Sequence, residues 1–520
     1  MRPELLRCLK DYEKKNLIHD LVAGLMVAII ALPLSIALGL QSGATLQTGI
    51  LTAIVAGFFI SLLGGSRYQI GGPTAAFVVI ILGYLTDPQI GFTGLALATI
   101  GAGALLILLG LFKAGGLVRY IPYPIVVGFT TGIGITLLTG QIKDLLGLTL
   151  PQGAGGDFVG RLSAYAQNIG TLNGWTLAVG ALTIALIYLL PKISKKLPAA
   201  FCAIVIATLV TLGLDALTGG DAGIPTIGSA YGEVKAEFKG MDLSGLSSVN
   251  AGSLVLPAII IAFLCAIESL LSATVADGMT GAEHDPNQEL VGQGIANIAS
   301  AMAGGLPATG AIARTAAGIN NGAKSPLTGI FHALFLLVMY VVLMPVVRFI
   351  PLTGLAAILI TVSIHMANFP VFLRLATFGV RDGIVLIVTC LLTVFFDLTY
   401  GVIGGLLLCI LVNGQNLLRP IRIAAENAAG RSISAKVEGR LYFLSVNRLC
   451  DYVLSLTEGE KPYEEVELDL SAIARMDVTS AERLAKLARK ARRKGIAFRL
   501  QNAGEAAQRR YDRFEREILG

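Results

Sequence analysis

Two interrupted apolar stretches decide the fold of this chain: GGPTAAFVVIILGYL at residues 71–85 and GLPATGAIARTAAGINNG at residues 305–322. Both begin at a Gly/Pro break, and both are short of the roughly 20 helical residues needed to cross a hydrocarbon core of about 30 Å. An offset of about 230 residues between the two halves of the chain brings Pro73 onto Pro307. Paired interruptions of this kind are typical of inverted-repeat transporters and indicate the substrate site.

The composition agrees with a membrane protein. The chain has 520 residues, of which 54% are hydrophobic and only 14% are charged, and its mean hydropathy is +0.73. Soluble globular proteins do not have this balance. Apolar runs predict fourteen membrane segments, with Gly-, Asp- and Ser-rich loops at about 150–170 and 215–250. The segments begin near Asp20, Gln47, Pro73, Gly91, Arg119, Asn173, Ala199, Ala251, Asn287, Gly310, Ser325, Leu352, Asp382 and Tyr400.

The charge distribution predicts the domains and the orientation. Twenty of the 40 Lys and Arg residues follow Leu418, so we expect an N-terminal segment (1–18), a transmembrane domain (19–418) and a polar domain (424–520). The repeats are predicted at about 19–218 and 251–418, and seven spans in each half give the halves opposite orientations. Basic residues at both ends predict that both termini lie on the cytoplasmic side of a bacterial inner membrane. No cleavable signal is read at the start.

The C-terminal domain has a different pattern. AKVEGRLYFLSV (435–446), a helical stretch to about Leu456, and then EEVELDLSAIARM, a second helix and AFRLQN predict strand, helix, strand, helix, strand. This alternation indicates a small α/β domain. The DVTS sequence at 477–480 is predicted to cap a helix that begins near Ala481. The basic run LARKARRKG (487–495) is interpreted as a solvated helix face, with a membrane or partner contact as the alternative.

The two breaks suggest a binding chemistry. A helix that begins inside the membrane leaves N–H groups without partners and carries a partial positive charge at that end, so it attracts an anion. We expect the N–H groups of Thr74 and Ala75, and those of residues 308–312, to face one shared space. The alternative is that Pro73 and Pro307 merely kink complete spans.

Two charged residues accompany these breaks. Arg314 lies one turn inside the second short helix, either as an added positive charge beside the anion or as a structural ion pair or snorkelling residue. Glu268 lies in the middle of the eighth segment, with Ser272 one turn later on the same face. Glu268 is expected to carry a coupling proton or, together with Ser272, to hold Na⁺. The alternative role is a neutralising partner of Arg314.

Other chemistries are not indicated. The chain has no GxxxxGK[ST] loop, and GGSRYQIGG lacks the context of a nucleotide-binding fingerprint, so no ATPase is predicted. The six cysteines are scattered without CxxC pairs, and His284 is a lone histidine among acidic loop residues. We therefore predict no enzyme, metal, cofactor or nucleic-acid partner.

Longer stretches carry a family resemblance. ALPLSIALGLQSG, LLGGSRYQIGGPTAAF, YIPYPIVVGFTTGIGI, IESLLSATVADGMTGAEHDPNQELVGQGIANI and GGLPATGAIARTAAGINNGAKSPL resemble the sulfate permease (SulP) family of anion transporters with a C-terminal STAS domain. The resemblance implies seven-plus-seven inverted repeats in core and gate domains, homodimers and an elevator-like movement. It implies an anion site at Thr74, Ala75, Ala311, Ile312 and Ala313, with Leu34, Leu38 and Arg314.

The resemblance also bears on substrate and regulation. GPTAAFVVI and QIKDLLGL are similar to the C4-dicarboxylate carriers of the family, which implies proton-coupled dicarboxylate uptake with Glu268 as the coupling residue. Sodium-coupled bicarbonate or sulfate uptake, an uncoupled channel or exchanger, and a scaffold that recruits soluble partners through the STAS domain are the alternatives. Similarity to soluble STAS proteins would make Ser480 a phosphoacceptor instead of part of a helix cap.

Overall fold

The computed structural model describes residues 2–151, 158–194, 198–232, 235–241, 250–396, 398–417, 421–429, 431–457, 463–493 and 495–519. Leu418 and Lys494, named above, lie outside these residues. The chain forms two compact units. The first comprises Met1–Gly116 with Ile133–Met366, and the second comprises Leu117–Gly132 with Ala367–Gly520.

Each of the fourteen predicted segments coincides with a helix, and nine helices among the described residues are long and apolar enough to cross a membrane. The predicted loops are partly wrong, because α8 and α11 lie within them and α10 extends to Thr218. In chain order the helices are α1 (Glu4–Cys8), α2 (Lys14–Gln41), α3 (Leu46–Leu63), α4 (Ala75–Thr86), α5 (Gly91–Leu111), α6 (Tyr123–Gly140), α7 (Ile142–Leu146), α8 (Phe158–Gln167), α9 (Gly174–Ile193), α10 (Ala199–Thr218), α11 (Ile227–Tyr231), α12 (Val255–Thr280), α13 (Pro286–Met302), α14 (Ile312–Asn320), α15 (Leu327–Val347), α16 (Leu352–Ala367), α17 (Phe369–Ala376), α18 (Val380–Phe395) and α19 (Leu398–Leu417).

The two interrupted segments meet. Strand β1 (Gly71–Gly72) pairs antiparallel with β2 (Thr309–Gly310), with Gly71 opposite Gly310. The short helices α4 and α14 that follow have 12 and 9 residues. At 1.5 Å per residue they rise about 18 and about 14 Å, which together match a hydrocarbon core of about 30 Å. The interpretation of Pro73 and Pro307 as kinks in complete spans is therefore wrong.

Neighbouring helices satisfy the extended backbone at this crossing. Asn297 of α13 donates to the Ala308 carbonyl and accepts from its N–H, both at 2.9 Å. The Ser269 hydroxyl of α12 accepts from Gly310 N–H at 3.1 Å. Non-helical backbone persists at membrane depth only where protein supplies such partners.

Two buried carboxylates that the sequence analysis did not single out fasten the first unit together. Asp20 of α2 accepts five hydrogen bonds, from Tyr12, Thr328, the Lys324 N–H and both the N–H and the hydroxyl of Ser325. Glu289 of α13 accepts four, from the N–H groups of Gly65 and Ser66 and from the side-chain amides of Gln69 and Gln293. Apart from the local bonds of Tyr12 and Gln293, these bonds join residues that are more than 200 positions apart, and so tie one half of the unit to the other.

The C-terminal part of the second unit is a small α/β domain. Strand β3 (Arg422–Ala429) pairs antiparallel with β4 (Ser432–Leu441), while β5 (Glu465–Asp469) and β6 (Ile473–Met476) pair parallel with β4, and β7 (Ala497–Gln501) pairs parallel with β5. The helices are α20 (Val446–Thr457), α21 (Val478–Arg493) and α22 (Glu505–Leu519).

The α/β pattern predicted for this domain is confirmed, although the prediction did not include β3, β6 and α22. The predicted start of α21 near Ala481 is three residues late. Asp477 Oδ1 accepts from Ser480 N–H at 2.8 Å, so the helix begins directly after Asp477.

Helices α2 and α3 approach each other through glycine. A Cβ on Gly49 would lie 2.2 Å from the Ser35 carbonyl oxygen and 3.0 Å from Gly39 Cα. We expect Gly49→Ala to lower the free energy of unfolding by about 1–3 kcal/mol, because the helices must separate.

Thermal unfolding in detergent measures this effect. Gly213→Ala is the matched control, because a Cβ at this helical position meets no described atom within 4 Å. Its expected effect is neutral or slightly stabilising. Equal melting temperatures for the two variants would contradict the close packing of α2 on α3.

Candidate functional site

Two uncapped helix N-termini define the site. The residues that precede the helices, Thr74 for α4 and Ala311 for α14, make no side-chain capping hydrogen bond. The first N–H groups of each helix have no intrahelical acceptor. Because β1 and β2 are antiparallel, the helices leave the crossing on opposite sides and their positive ends face each other. This arrangement attracts an anion.

On the second helix, the N–H groups that are available to a ligand begin later in the chain than the sequence predicts. Of the predicted set at 308–312, the N–H groups of Ala308, Gly310 and Ala311 already donate to Asn297, Ser269 and the Ile70 carbonyl. On the second helix the free groups therefore begin at Ile312, whose side chain is 47% exposed. Ala313 is exposed as well, so the start of α14 is open to a ligand.

Arg314 lies beneath the crossing. Its side chain is 1% exposed, and Nη1 and Nη2 donate to the Gly71 carbonyl at 3.2 Å and to Ser35 Oγ at 3.0 Å. Within the described part of the chain no carboxylate lies at ion-pair distance from it. The guanidinium therefore neither snorkels nor forms the predicted ion pair, and its charge stays close to the two helix ends.

Gly72 makes room for this guanidinium. A Cβ at this position would lie 1.9 Å from Arg314 Nη1, and the backbone φ of +149° is one that residues with a side chain rarely adopt. Ser35 is the other partner of Arg314, and the backbone carbonyl of Ser35 packs against Gly49. The sequence analysis missed both Ser35 and Gly72, because neither carries a charge or belongs to a periodic pattern.

Glu268 is linked to the first helix end and not to Arg314. Thr74 Oγ1 donates to Glu268 Oε2 at 3.1 Å. The Thr74 hydroxyl, which lies at the capping position of α4, is thus directed to the carboxylate. The structure does not bring Ser272 to Glu268: Ser272 Oγ is buried and lies 3.4 Å from Thr315 Oγ1.

The apolar residues predicted near the site belong to one cluster. Leu38 of α2 and Ala75 of α4 are buried in the same hydrophobic cluster, and Leu34 packs against it half-buried. This cluster supplies an apolar wall next to the polar helix end.

His284 and the acidic loop around it form no metal centre in the described part of the chain, where no group of three possible ligands lies together. His284 Nδ1 is 2.6 Å from Asp277 Oδ2, so this loop histidine is paired with the last turn of α12.

Comparison with known proteins agrees with this geometry. Residues 17–389 match the sulfate permease family, and residues 431–517 match the STAS domain. The chain belongs to the sulfate permease family. It is a multi-pass membrane anion transporter with a C-terminal STAS domain.

Two relatives illustrate the sequence similarity. The chain is 37% identical to a putative sulfate transporter, YvdB, of Bacillus subtilis, over 91% of this chain and 89% of that one. It is 30% identical to the bicarbonate transporter BicA of Picosynechococcus, over 75% of this chain and 68% of that one. The predicted family is confirmed, whereas the dicarboxylate branch within it stays a prediction.

Solved structures confirm the predicted fold class. The transmembrane domain of a cyanobacterial bicarbonate transporter, BicA, superposes with a TM-score of 0.64 at 28% identity, over 76% of this chain and 98% of that one. The structure of SLC26A9 gives a TM-score of 0.72 at 19% identity, over 99% of this chain and 90% of that one, which shows the fold alone.

Removing the positive charge at the crossing tests the site. We expect Arg314→Gln to weaken anion affinity by at least about tenfold, because one unit charge within about 12 Å of the anion contributes at least about 1.4 kcal/mol at an effective dielectric of about 20. Titration of the purified protein with sulfate, bicarbonate and fumarate measures the effect. Arg348→Gln, at an exposed position after α15, is the control and should leave affinity unchanged. Unaltered affinity in Arg314→Gln would exclude an electrostatic role for this residue.

Proposed function

We propose that this protein takes up a small anion together with a proton. The anion binds at the start of α4 and α14, next to Thr74, Ala75, Ala311, Ile312, Ala313 and Arg314, and Glu268 carries the proton. The observation that carries this proposal is the hydrogen bond from Thr74 to Glu268, because it joins one of the two helix ends directly to a titratable group.

Hydrogen-bond counts distinguish Glu268 from the other buried carboxylates. Asp20 accepts five hydrogen bonds and Glu289 accepts four, which stabilises the charged form of each. Within the part of the chain that the structure describes, Glu268 accepts one, from Thr74. A carboxylate within a membrane segment is costly when it is charged and weakly partnered. Glu268 is therefore the carboxyl group of these three that is suited to gain and lose a proton.

The same hydrogen bond suggests how binding is coupled. While Glu268 is charged, it occupies the hydrogen of the Thr74 hydroxyl and repels an arriving anion. Protonation removes the repulsion and lets the carboxylic acid donate to Thr74, whose own hydrogen is then free to reach the anion. Each ligand thus favours binding of the other, and the two travel together.

The movement we propose is elevator-like. Backbone N–H groups at the crossing donate to side chains of α3, α13 and α12, the helix that bears Glu268. Arg314 donates to the crossing at the Gly71 carbonyl and to Ser35 of α2. A site built on such a rigid group is suited to move as one body with its ligands. Following the family, we propose a homodimer in a bacterial inner membrane with both termini in the cytoplasm.

The proposed substrate is a small oxyanion. Resemblance to dicarboxylate carriers favours a C4-dicarboxylate, while the printed names of the relatives favour sulfate and bicarbonate as the second candidates. Backbone N–H donors at two helix ends suit all three, because each presents negatively charged oxygens. Counterflow measurements with a panel of labelled anions distinguish them.

Replacement of Glu268 tests the coupling. In proteoliposomes we expect an inward proton gradient of one pH unit to support up to about tenfold anion accumulation, for one proton per anion. Glu268→Gln should abolish accumulation while counterflow continues, since the amide keeps the size of the side chain and cannot release a proton. Thr74→Val should weaken the response to the gradient.

Asp221→Asn, at an exposed carboxylate in the loop after α10, is the control and should behave as the original protein. Accumulation that depends on sodium and not on pH would refute proton coupling and support the sodium-coupled alternative. Electrogenic, non-saturating flux would indicate a channel. The absence of any anion uptake would support a scaffold.

A further inference from the structure

The first turn of α21 in the STAS domain contacts two membrane helices of the second unit. The carboxylate of Asp382, in the first turn of α18, lies against the N–H of Val478. The N–H of Tyr123, at the start of α6, donates to Thr479 Oγ1 at 3.0 Å. The N-terminus of α21 is therefore capped from outside its own domain as well as by Asp477.

Aromatic residues reinforce this contact. The ring of Phe514 in α22 lies edge-on to Phe378, with centroids 5.2 Å apart, and to Tyr123, with centroids 6.1 Å apart. The Arg513 guanidinium lies 4.6 Å from the Phe378 ring centroid. Helices α6 and α18 are themselves tightly packed, since a Cβ on Gly128 would lie 2.7 Å from the Leu386 carbonyl oxygen. A displacement of α21 would therefore act on both membrane helices.

Two carboxylates and one guanidinium lie close together at this contact. Asp477 is buried, and its two oxygens accept from Ser480 N–H at 2.8 Å and Phe443 N–H at 2.9 Å. Asp382 lies beside it and interacts with Arg510, which also donates to the Met476 carbonyl. A cavity of about 470 Å³ opens next to this pair. The other titratable or charged groups facing the pair are Arg381 of α18, Cys409 of α19, Tyr442 and Glu505 of α22.

We propose that Asp382 docks the STAS domain onto α18 by capping α21, and that the Asp382–Asp477 pair makes this docking sensitive to pH. Two carboxylates beside one helix N-terminus share the same few N–H donors. When both are charged they repel each other, with Arg510 offsetting part of the repulsion. When the pair holds one proton, the repulsion is gone and the cap remains.

The direction of the pH effect follows from Asp477. Burial, and secondly the neighbouring Asp382 carboxylate, raise the pKa of Asp477 to about 7. A carboxyl group whose pKa is raised in the docked state contributes most at low pH, and its contribution is lost as pH rises toward that value. Only the part of this shift that comes from Asp382 is lost on undocking, so docking should weaken by up to about tenfold between pH 6 and pH 8. The buried Ser480 hydroxyl, close to this joint, is poorly placed to accept phosphate.

Hydrogen exchange of the full-length chain in nanodiscs tests the joint. The measured quantity is the protection of the amides that begin α21, at pH 6 and pH 8, after correction for the intrinsic pH dependence of exchange. We expect protection to fall by up to about tenfold from pH 6 to pH 8 in the original protein. Asp382→Ala should lose protection at both pH values. Asp382→Asn, which keeps an acceptor oxygen without charge, should keep protection at pH 8.

Asp469→Asn is the matched control, since this carboxylate also accepts a backbone N–H, from Ser471 at 2.9 Å, but lies at the end of β5 away from α18. This variant should show the same protection of the α21 amides as the original protein at both pH values. Unchanged protection of the β5 amides shows that the domain stays folded in every variant. The proposal is overturned if Asp382→Ala protects α21 as well as the original protein does, or if protection of the original protein is equal at pH 6 and pH 8.

Discussion

The antiparallel pairing of Gly71 and Gly72 with Thr309 and Gly310 is the constraint on which the rest of the structure depends. It brings together, head to head, two short helices that are more than 200 residues apart in the sequence. Extended backbone within a membrane protein must find all its partners in the protein itself. The pairing therefore explains the polar side chains around it, such as Asn297 and Ser269, in helices that are otherwise apolar.

The same crossing organises the charges of the first unit. Arg314 fits beneath it only because Gly72 has no side chain, and its guanidinium is held by a carbonyl and a hydroxyl and not by a carboxylate. Its positive charge is therefore not cancelled by an ion pair and adds to the field of the two helix ends. Among the described residues, Asp20 and Glu289 accept several hydrogen bonds that hold distant segments together, whereas Glu268 has a single hydroxyl partner.

In the STAS domain, too, a helix N-terminus interacts with negative charge, but there the charge comes from side chains of the protein. In the first unit, the two helix N-termini have no side-chain cap among the described residues, and we propose that a ligand supplies the negative charge. In the second unit, the N-terminus of α21 is capped by its own Asp477 and by Asp382 of a membrane helix. We thus propose that a helix end serves for binding in one unit and for attachment in the other.

The sequence by itself determined the number and position of the membrane segments, the paired interruptions and the family. Hydrophobic runs and Gly/Pro breaks are local signals, and long motifs such as GGPTAAF need no three-dimensional information. It also located Arg314 and Glu268, because charge in an apolar segment is conspicuous. Only the tertiary structure decided which N–H groups are free, since the partners of Ala308, Gly310 and Ala311 lie on other segments or on a distant part of the chain. The partner of Glu268 was settled in the same way: hydrogen bonds depend on distances between segments, and a pattern along one chain does not contain those distances.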